Sequence, residues 1–496
     1  MNDSTARNVE EKPDQPVDNR KHALTLPSEA SQVHREPHLY ERWMIAKLLR
    51  MAGSPPVRFR LWNGDTIEPE DGEADFTLQL TDPKALMSLA SNPNLAFGDL
   101  YSAGRLQLLD GDLPDLTETL YRHVHRGMQT WPGWLGKLWS NHTPRSTGID
   151  EAKENIHHHY DLGNEFYRLW LDQAEMQYTC AYYENADATL EQAQLAKLEH
   201  VCRKLRLKPG MTVVEAGCGW GGLARYMARN YGVKVHAYNI SHEQVGYARE
   251  EAKRQQLDPL IDYIEDDYRN ISGEYDAFVS IGMLEHVGKD HYQVLSDLIK
   301  ASLKPDGLAL LHSIGRNRPM PTNAWIEKRI FPGAYPPSIK EFMGICEGND
   351  FSVIDVENLR LHYAQTLTHW KERFDQNEDR VISMYGEHFT RAWRMYLSGS
   401  IGAFRTGSLQ LFQVLFCHSS SAMPPGLPTH KAEKAYGRPL SPHCWLQRLS
   451  GLLKTIRPNR SNPTARPLQS ALATVQSNMT AAGNCLNGSR HPWQAC

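Results

Sequence analysis

No apolar run in the 496 residues approaches the roughly 20 needed to cross a bilayer. Any membrane contact is therefore expected from the surface. The first residues, Met1-Asn-Asp-Ser-Thr-Ala-Arg7, lack the apolar core of a secretion signal. Cysteine is scarce. The eight Cys form no CxxC pair and no zinc spacing, which excludes a disulfide framework and a zinc module. Free thiols in a reducing, cytoplasmic compartment are expected instead. Charge of one sign is also missing. The chain carries −4 overall, with 41% hydrophobic and 23% charged residues. That is a globular composition with no polyanion-binding surface, so no nucleic-acid partner is expected.

What is present divides into segments, two or three of them long enough to be domains. Residues 1–36 are polar and read as a disordered arm. Residues 37–125 read as a small α+β domain. Leu39 to Met51 has apolar residues at helical spacing, and Val57 to Trp62 and Phe76 to Leu80 alternate as half-buried strands do. Asn63-Gly64 is a hairpin signal between them. Helical stretches at Pro83 to Ala90 and Leu95 to Ala103 precede a strand beginning at Gly104. Nothing there forms a catalytic constellation. Residues 126–150 are a linker rich in Trp, with Trp131, Trp134 and Trp139 close to Lys137. Such a stretch suits a lipid headgroup layer, although packing between domains is the plainer use of it. Residues 417–496 hold nine Lys or Arg against one acid, Glu433, a formal +8 that leaves −12 for the rest. Anionic lipid and nucleic acid are both conceivable partners for this tail. Its Pro, Ser and Asn content favours a disordered extension.

The intervening region, 151–416, carries the chemistry. Thr212 to Val214 is a buried strand that breaks into Gly217, Gly219, Gly221 and Gly222 and then into a helix. Further strands are expected at Val233 to Asn239, Ile261 to Asp267, Tyr275 to Ile281 and Leu308 to Ile314, the last launched by a Lys304-Pro-Asp-Gly307 turn. Two closing strands, Phe351 to Glu357 and Gln410 to Phe416, flank a helical segment from Tyr363 to Leu397. Strands alternating with helices predict a parallel sheet with ligands at its carboxyl edge. The spacing Gly217-x-Gly219-x-x-Gly222 also fits a dinucleotide site. An NAD site, however, needs an acid at the end of the second strand, and that strand ends Tyr238-Asn239-Ile240. Three consecutive histidines, His157 to His159, point in different directions on any regular element and have no ligand partner at helical spacing. No metal site is expected.

Glu215 before the glycine turn and Asp266-Asp267 after the third strand resemble the acid pattern of class I S-adenosylmethionine-dependent methyltransferases. Six motifs then occur in one order: His159-Tyr-Asp-Leu162, Tyr178-Thr-Cys-Ala-Tyr-Tyr183, Glu215-Ala-Gly-Cys-Gly-Trp-Gly221, Met283-Leu-Glu-His-Val-Gly288, Leu311-His-Ser-Ile314 and His362-Tyr-Ala-Gln-Thr-Leu367. Together they resemble the cyclopropane-fatty-acyl-phospholipid synthase family over about residues 37 to 416. The resemblance implies an α/β fold: a Rossmann-like class I methyltransferase domain with a mostly parallel seven-stranded sheet, preceded by the small α+β domain.

It further implies methyl transfer from S-adenosylmethionine to a cis double bond of a phospholipid acyl chain. A carbocation then loses a proton from the new methyl to a bound bicarbonate, and a cyclopropane closes. By the family pattern the anion is held by the backbone at Cys180 and Ile314 and by the side chains of Glu285, His312 and Tyr363. Alone, His312 would read as a core histidine and Tyr363 as an ordinary aromatic. Cofactor contacts are expected from Tyr178, Thr179, Glu215, Gly217, Gly219, Ser241, Gln244 and Tyr268. The implied partners are unsaturated phospholipid acyl chains, met by peripheral contact at the inner face of the membrane. A homodimer is compatible with this. Methylation without ring closure and a catalytically silent lipid-binding homologue are the alternatives.

Overall fold

Apolar and β-branched runs set the strands, and short polar side chains mark where helices begin. Asp82 caps the helix Pro83–Ser91 by accepting from Ala85 N at 3.0 Å, and Asn92 caps Pro93–Ser102 by accepting from Leu95 N at 3.3 Å. Each of these helices starts on Pro, whose missing N–H costs nothing there. The computed structural model describes residues 35–129 and 162–422. Trp131, Trp134, Trp139, the histidines 157–159 and the tail beyond 422 lie outside them.

The first sheet has four strands in the order β2-β1-β3-β4: β1 Val57–Arg60, β2 Thr66–Ile67, β3 Phe76–Leu80 and β4 Leu106–Asp110. The Asn63-Gly64 hairpin signal joins β1 to the short β2, which was not among the expected strands, while β1 and β3 run parallel and β3 and β4 antiparallel. A helix from Leu113 to Gln129 follows. It was not among the expected elements, and it carries the chain four residues past the expected limit at 125.

The second sheet has seven strands in the order β10-β11-β9-β8-β5-β6-β7. These are β5 Thr212–Ala216, β6 Lys234–Asn239, β7 Ile261–Glu265, β8 Tyr275–Ile281, β9 Leu303–Gly315, β10 Phe351–Asn358 and β11 Gln410–His418. The strands β5 to β9 run parallel, and β11 pairs antiparallel with both β9 and β10. The chain lays β6 and β7 on one side of β5 and β8 and β9 on the other. The crevice at that switch point is where a ligand binds in such sheets.

Three local expectations need correction. Lys304-Pro-Asp-Gly307 is not a turn before β9. The strand starts at Leu303, opposite Tyr275, and takes up these residues as an irregularity in its pairing with β8. The helical segment after β10 is two helices, Arg360–Gln376 and Glu378–Thr406, the second interrupted at Gly386, where φ is +83°. β11 runs two residues beyond Phe416, because Cys417 still pairs with Leu308 and Ser352.

The described residues belong to one compact unit, Met1–Leu427. One apolar core reaches from Ile45, Leu78 and Leu116 around the first sheet to Trp170, Trp370 and Phe404 beside the second. The helix Glu378–Thr406 makes the join. A Cβ on Gly402 would lie 2.6 Å from Thr117 Oγ1, and that hydroxyl donates to Ser398 O at 2.8 Å. Only glycine permits this approach.

Candidate active site

The glycine turn between β5 and its helix has left-handed backbone at Gly217, Gly219 and Gly221, with φ of +80°, +54° and +74°. A side chain on Gly217 would press on Met283 at 3.1 Å. The crevice in front of this turn is lined by Gly217, Asn239, Asp266, Tyr268, Met283 and His286, among others. Two glycine-turn amides, those of Gly217 and Cys218, donate to Tyr238 O at 2.9 and 3.0 Å, which ties the turn to the end of β6. Asn239 Nδ2 donates to Gly219 O at 3.2 Å and to Gln244 Oε1 at 2.9 Å. Asp267 pairs with Arg269 at 2.7 Å, and the Arg269 guanidinium lies over the Tyr268 ring. The crevice thus offers an aromatic face, a carboxylate and backbone brought close by glycine. These are the groups that a nucleoside needs.

Of the eight expected cofactor residues, Gly217 and Tyr268 line this crevice and six do not. Ser241 is the cap of the helix His242–Arg254 and accepts from Gln244 N at 3.4 Å. Gln244 reaches the crevice only through Asn239, and Gly219 through its carbonyl to the same side chain. Glu215 is buried beneath the turn with Oε2 unpartnered among the described residues. Burial pushes its carboxyl up to about 8 against the pull of Lys197 and Arg225. Thr179 packs on the other side, where a Cβ on Gly282 would meet its Cγ2 at 3.1 Å. The buried Lys197 donates to Thr179 Oγ1 at 3.0 Å and to Gln177 Oε1. Burial lowers that ammonium to about 8. Tyr178 is half-buried among Tyr167, Trp170 and Trp370, and its hydroxyl hydrogen-bonds that of Tyr396 at 3.0 Å.

Of the expected anion-site residues, Glu285, His312 and Ile314 lie at the carboxyl ends of β8 and β9. Glu285 sits in the short helix Leu284–Val287 just after β8 and is buried. Its Oε1 accepts from Ile314 N at 2.6 Å. The Ile314 amide, expected to face the anion, thus already serves Glu285. Its Oε2 has no partner among the described residues. Burial raises this carboxyl to about 7. His312, at the end of β9, is buried, and Gly282 N donates to its carbonyl at 2.8 Å. Its Nδ1 lies 3.2 Å from Gln413 Nε2, and its Nε2 has no partner among the described residues. Burial, helped by Lys197 and Lys204, lowers its pKa to about 3, so the ring is neutral.

The other two residues arrive from elsewhere in the chain. Tyr363 lies in the first turn of the helix Arg360–Gln376, and Phe404 packs on its ring at 4.6 Å. Cys180 lies in a loop pinned to that helix. Ala181 N donates to Thr366 Oγ1 and Tyr183 N to His362 Nδ1, both at 3.0 Å. The Cys180 thiol is buried, which raises its pKa well above the ordinary thiol range, so it is no nucleophile.

Comparison with known proteins assigns this architecture. Residues 148–414 match the family described as mycolic acid cyclopropane synthetase. A probable fatty acid methyltransferase of Pseudomonas putida is 34% identical over 378 residues, 73% of this chain and 91% of that protein. The chain belongs to the mycolic acid cyclopropane synthetase family. As a member it is an S-adenosylmethionine-dependent methyltransferase, and its large sheet is the class I methyltransferase sheet. The cyclopropane-fatty-acyl-phospholipid synthase of Escherichia coli K12 is 42% identical over 259 residues, 52% of this chain and 66% of that protein. The solved mycolic acid cyclopropane synthase CmaA1, complexed with SAH and CTAB, is 31% identical with a TM-score of 0.51. The match covers 53% of this chain and 97% of that one. Residues 44–130 match a domain of unknown function.

Within this family member, sequence reasoning missed three residues of note. Asn239 appeared only as an absent acid, yet it links Gly219 to Gln244. His286 lines the crevice one residue after Glu285, and burial lowers its pKa to about 4. Gln413 stands directly opposite His312 in the β9–β11 pairing. The order Glu285-His286 was visible as a motif, but the other two depend on strand pairing and had no local signal. Among the described residues no cluster of acids, His and Cys could hold a metal, and no helix is long and apolar enough to cross a membrane.

Proposed function

We propose that this chain methylates the cis double bond of an unsaturated phospholipid acyl chain and closes it to a cyclopropane, with bicarbonate as the base. One observation carries the reading. Two buried polar atoms, Glu285 Oε2 and His312 Nε2, stand without partners among the described residues at the strand ends beside the cofactor crevice. Buried polar atoms are almost always hydrogen-bonded, so an unpartnered acceptor and ring nitrogen together imply a small polar ligand. Bicarbonate, with one hydrogen to give and oxygens to receive, fits them.

When bound, S-adenosylmethionine supplies an electrophilic methyl and bicarbonate a base compact enough for a site that long side chains would crowd. The chain's own residues do the rest. Gly217, Asn239, Asp266 and Tyr268 orient the nucleoside, with Tyr178 and Thr179 closing the methionine side. Glu285 accepts the hydrogen of the anion, and Tyr363 and His312 donate to its oxygens. The aromatic cluster of Tyr167, Trp170, Tyr178, Trp370 and Trp393 keeps water, which would trap a cation, away from the reaction. Its ring faces favour positive charge. Residues 151–416 are the catalytic domain in this reading, and residues 37–125 are an accessory domain that shares an apolar core with it. Docking is peripheral, at the inner face of the membrane.

A second reading, methylation without ring closure, is favoured by the similarity to the Pseudomonas putida probable fatty acid methyltransferase. Mass spectrometry of lipids from cells expressing the protein separates these. Cyclopropanation adds one CH2 and removes the double bond, whereas the cation that does not close its ring either loses a proton elsewhere, leaving a methyl branch with a double bond retained, or takes up water as a hydroxyl. An unchanged lipid profile would refute both.

A further inference from the structure

We propose that Gln413 is a positioning residue that fixes the tautomer of His312, so that Nε2 carries the hydrogen presented to the anion. The inference deepens the bicarbonate reading and rests on it for its catalytic consequence. Gln413 and His312 are directly opposed in the antiparallel β9–β11 pair, so their side chains leave the sheet on one face with Cβ atoms close together. Both are buried, Gln413 completely. The Gln413 amide nitrogen faces His312 Nδ1 at 3.2 Å. With its nitrogen on this side the amide donates, and Nδ1 is the bare acceptor of a neutral imidazole, while Gln413 Oε1 is buried without a partner among the described residues. The ring hydrogen is then on Nε2, the atom with no protein partner among the described residues.

This arrangement has a chemical consequence. With Nε2–H fixed, the site presents one donor from His312 beside one acceptor from Glu285 Oε2. The opposite tautomer would present two acceptors, which would repel an anion. The low basicity of the buried ring fits the same picture, because a neutral ring needs its single hydrogen assigned to the right nitrogen. Gln413 touches neither cofactor nor anion in this account. It acts through His312.

The test uses the full chain labelled with 15N-histidine, with His312 assigned by difference against His312→Gln. Nitrogen shifts distinguish Nε2–H from Nδ1–H. The wild type should show Nε2–H. Gln413→Glu, which can only accept when ionised, should move the hydrogen to Nδ1 or protonate the ring. Gln413→Met, which keeps the volume and removes the donor, should raise the bicarbonate concentration for half-maximal turnover roughly 10- to 100-fold. The KM for S-adenosylmethionine should stay unchanged. A wild-type Nδ1–H signal would overturn the inference whether or not the variants fold. So would a Gln413→Met enzyme with the wild-type bicarbonate response. If the tautomer follows Gln413 while turnover ignores bicarbonate, the positioning role stands and the bicarbonate reading fails.

Discussion

Replacing Glu285 with Gln isolates the ionisation of the one carboxyl placed to receive the anion's hydrogen. The amide oxygen can still accept from Ile314 N, now at 2.6 Å from Oε1, so the local fold should persist. The energetics follow from burial. Burial holds this carboxyl at about 7 instead of its ordinary 4.5, a difference worth about 3 kcal/mol. The folded state holds the proton more tightly than the unfolded chain does. The contribution to stability is therefore full below pH 4.5 and is lost as pH rises through about 7. Between pH 5 and pH 8 the wild type should lose about 2–3 kcal/mol relative to Glu285→Gln. Urea unfolding of both proteins at both pH values, in bicarbonate-free buffer, reads this difference. Turnover of the variant should fall roughly 100-fold or more, the scale of a lost proton-transfer partner. A stability gap that is equal at pH 5 and pH 8 would refute the placement of Glu285 as a buried titrating group. A fully active variant would refute its role with the anion.

Other expectations follow from the same geometry. Tyr268→Ala should weaken S-adenosylmethionine binding about tenfold by calorimetry, the scale of a lost aromatic contact, while Tyr268→Phe should bind as the wild type does. The buried Cys180 thiol should resist iodoacetamide in the native protein, and Cys180→Ala should keep turnover within about tenfold, because its proposed contribution is backbone. Rapid inactivation by alkylation at this residue would count against that. Gly402→Val should cost about 1–3 kcal/mol of thermal stability by overpacking against Thr117, with the KM for S-adenosylmethionine unchanged in the protein that remains folded.

Much of this was legible because it is local. A β-branched run, a glycine turn and a helix announce β5 and its ligand edge without any knowledge of partners. Ser241 was readable as a cap because capping is a matter of neighbouring residues. The four-stranded layer was readable from alternation in β1 and β3. What stayed hidden depends on pairing at a distance. The irregular entry of β9 arises from its register with β8, which no turn signal at Lys304 to Gly307 reveals. Gln413 is an unremarked polar residue in an apolar strand until β11 is laid beside β9. Ser241 and Gln244 were expected at the cofactor because of their position after β6. Hydrogen bonding to the helix start and to Asn239 shows structural work that their place in the sequence did not announce. The helix Leu113–Gln129 was overlooked although Pro132-Gly133, just beyond it, is a stop signal.

The central claim is methyl transfer to the double bond followed by loss of a proton from that same methyl. Its most direct test supplies purified protein with S-adenosylmethionine carrying a fully deuterated methyl, vesicles of cis-unsaturated phospholipid, and bicarbonate. Mass spectrometry of the released acyl chains should show a cyclopropane that keeps all but one of the deuterons. A product retaining the whole deuterated methyl as a branch, or no labelled lipid, would contradict the account.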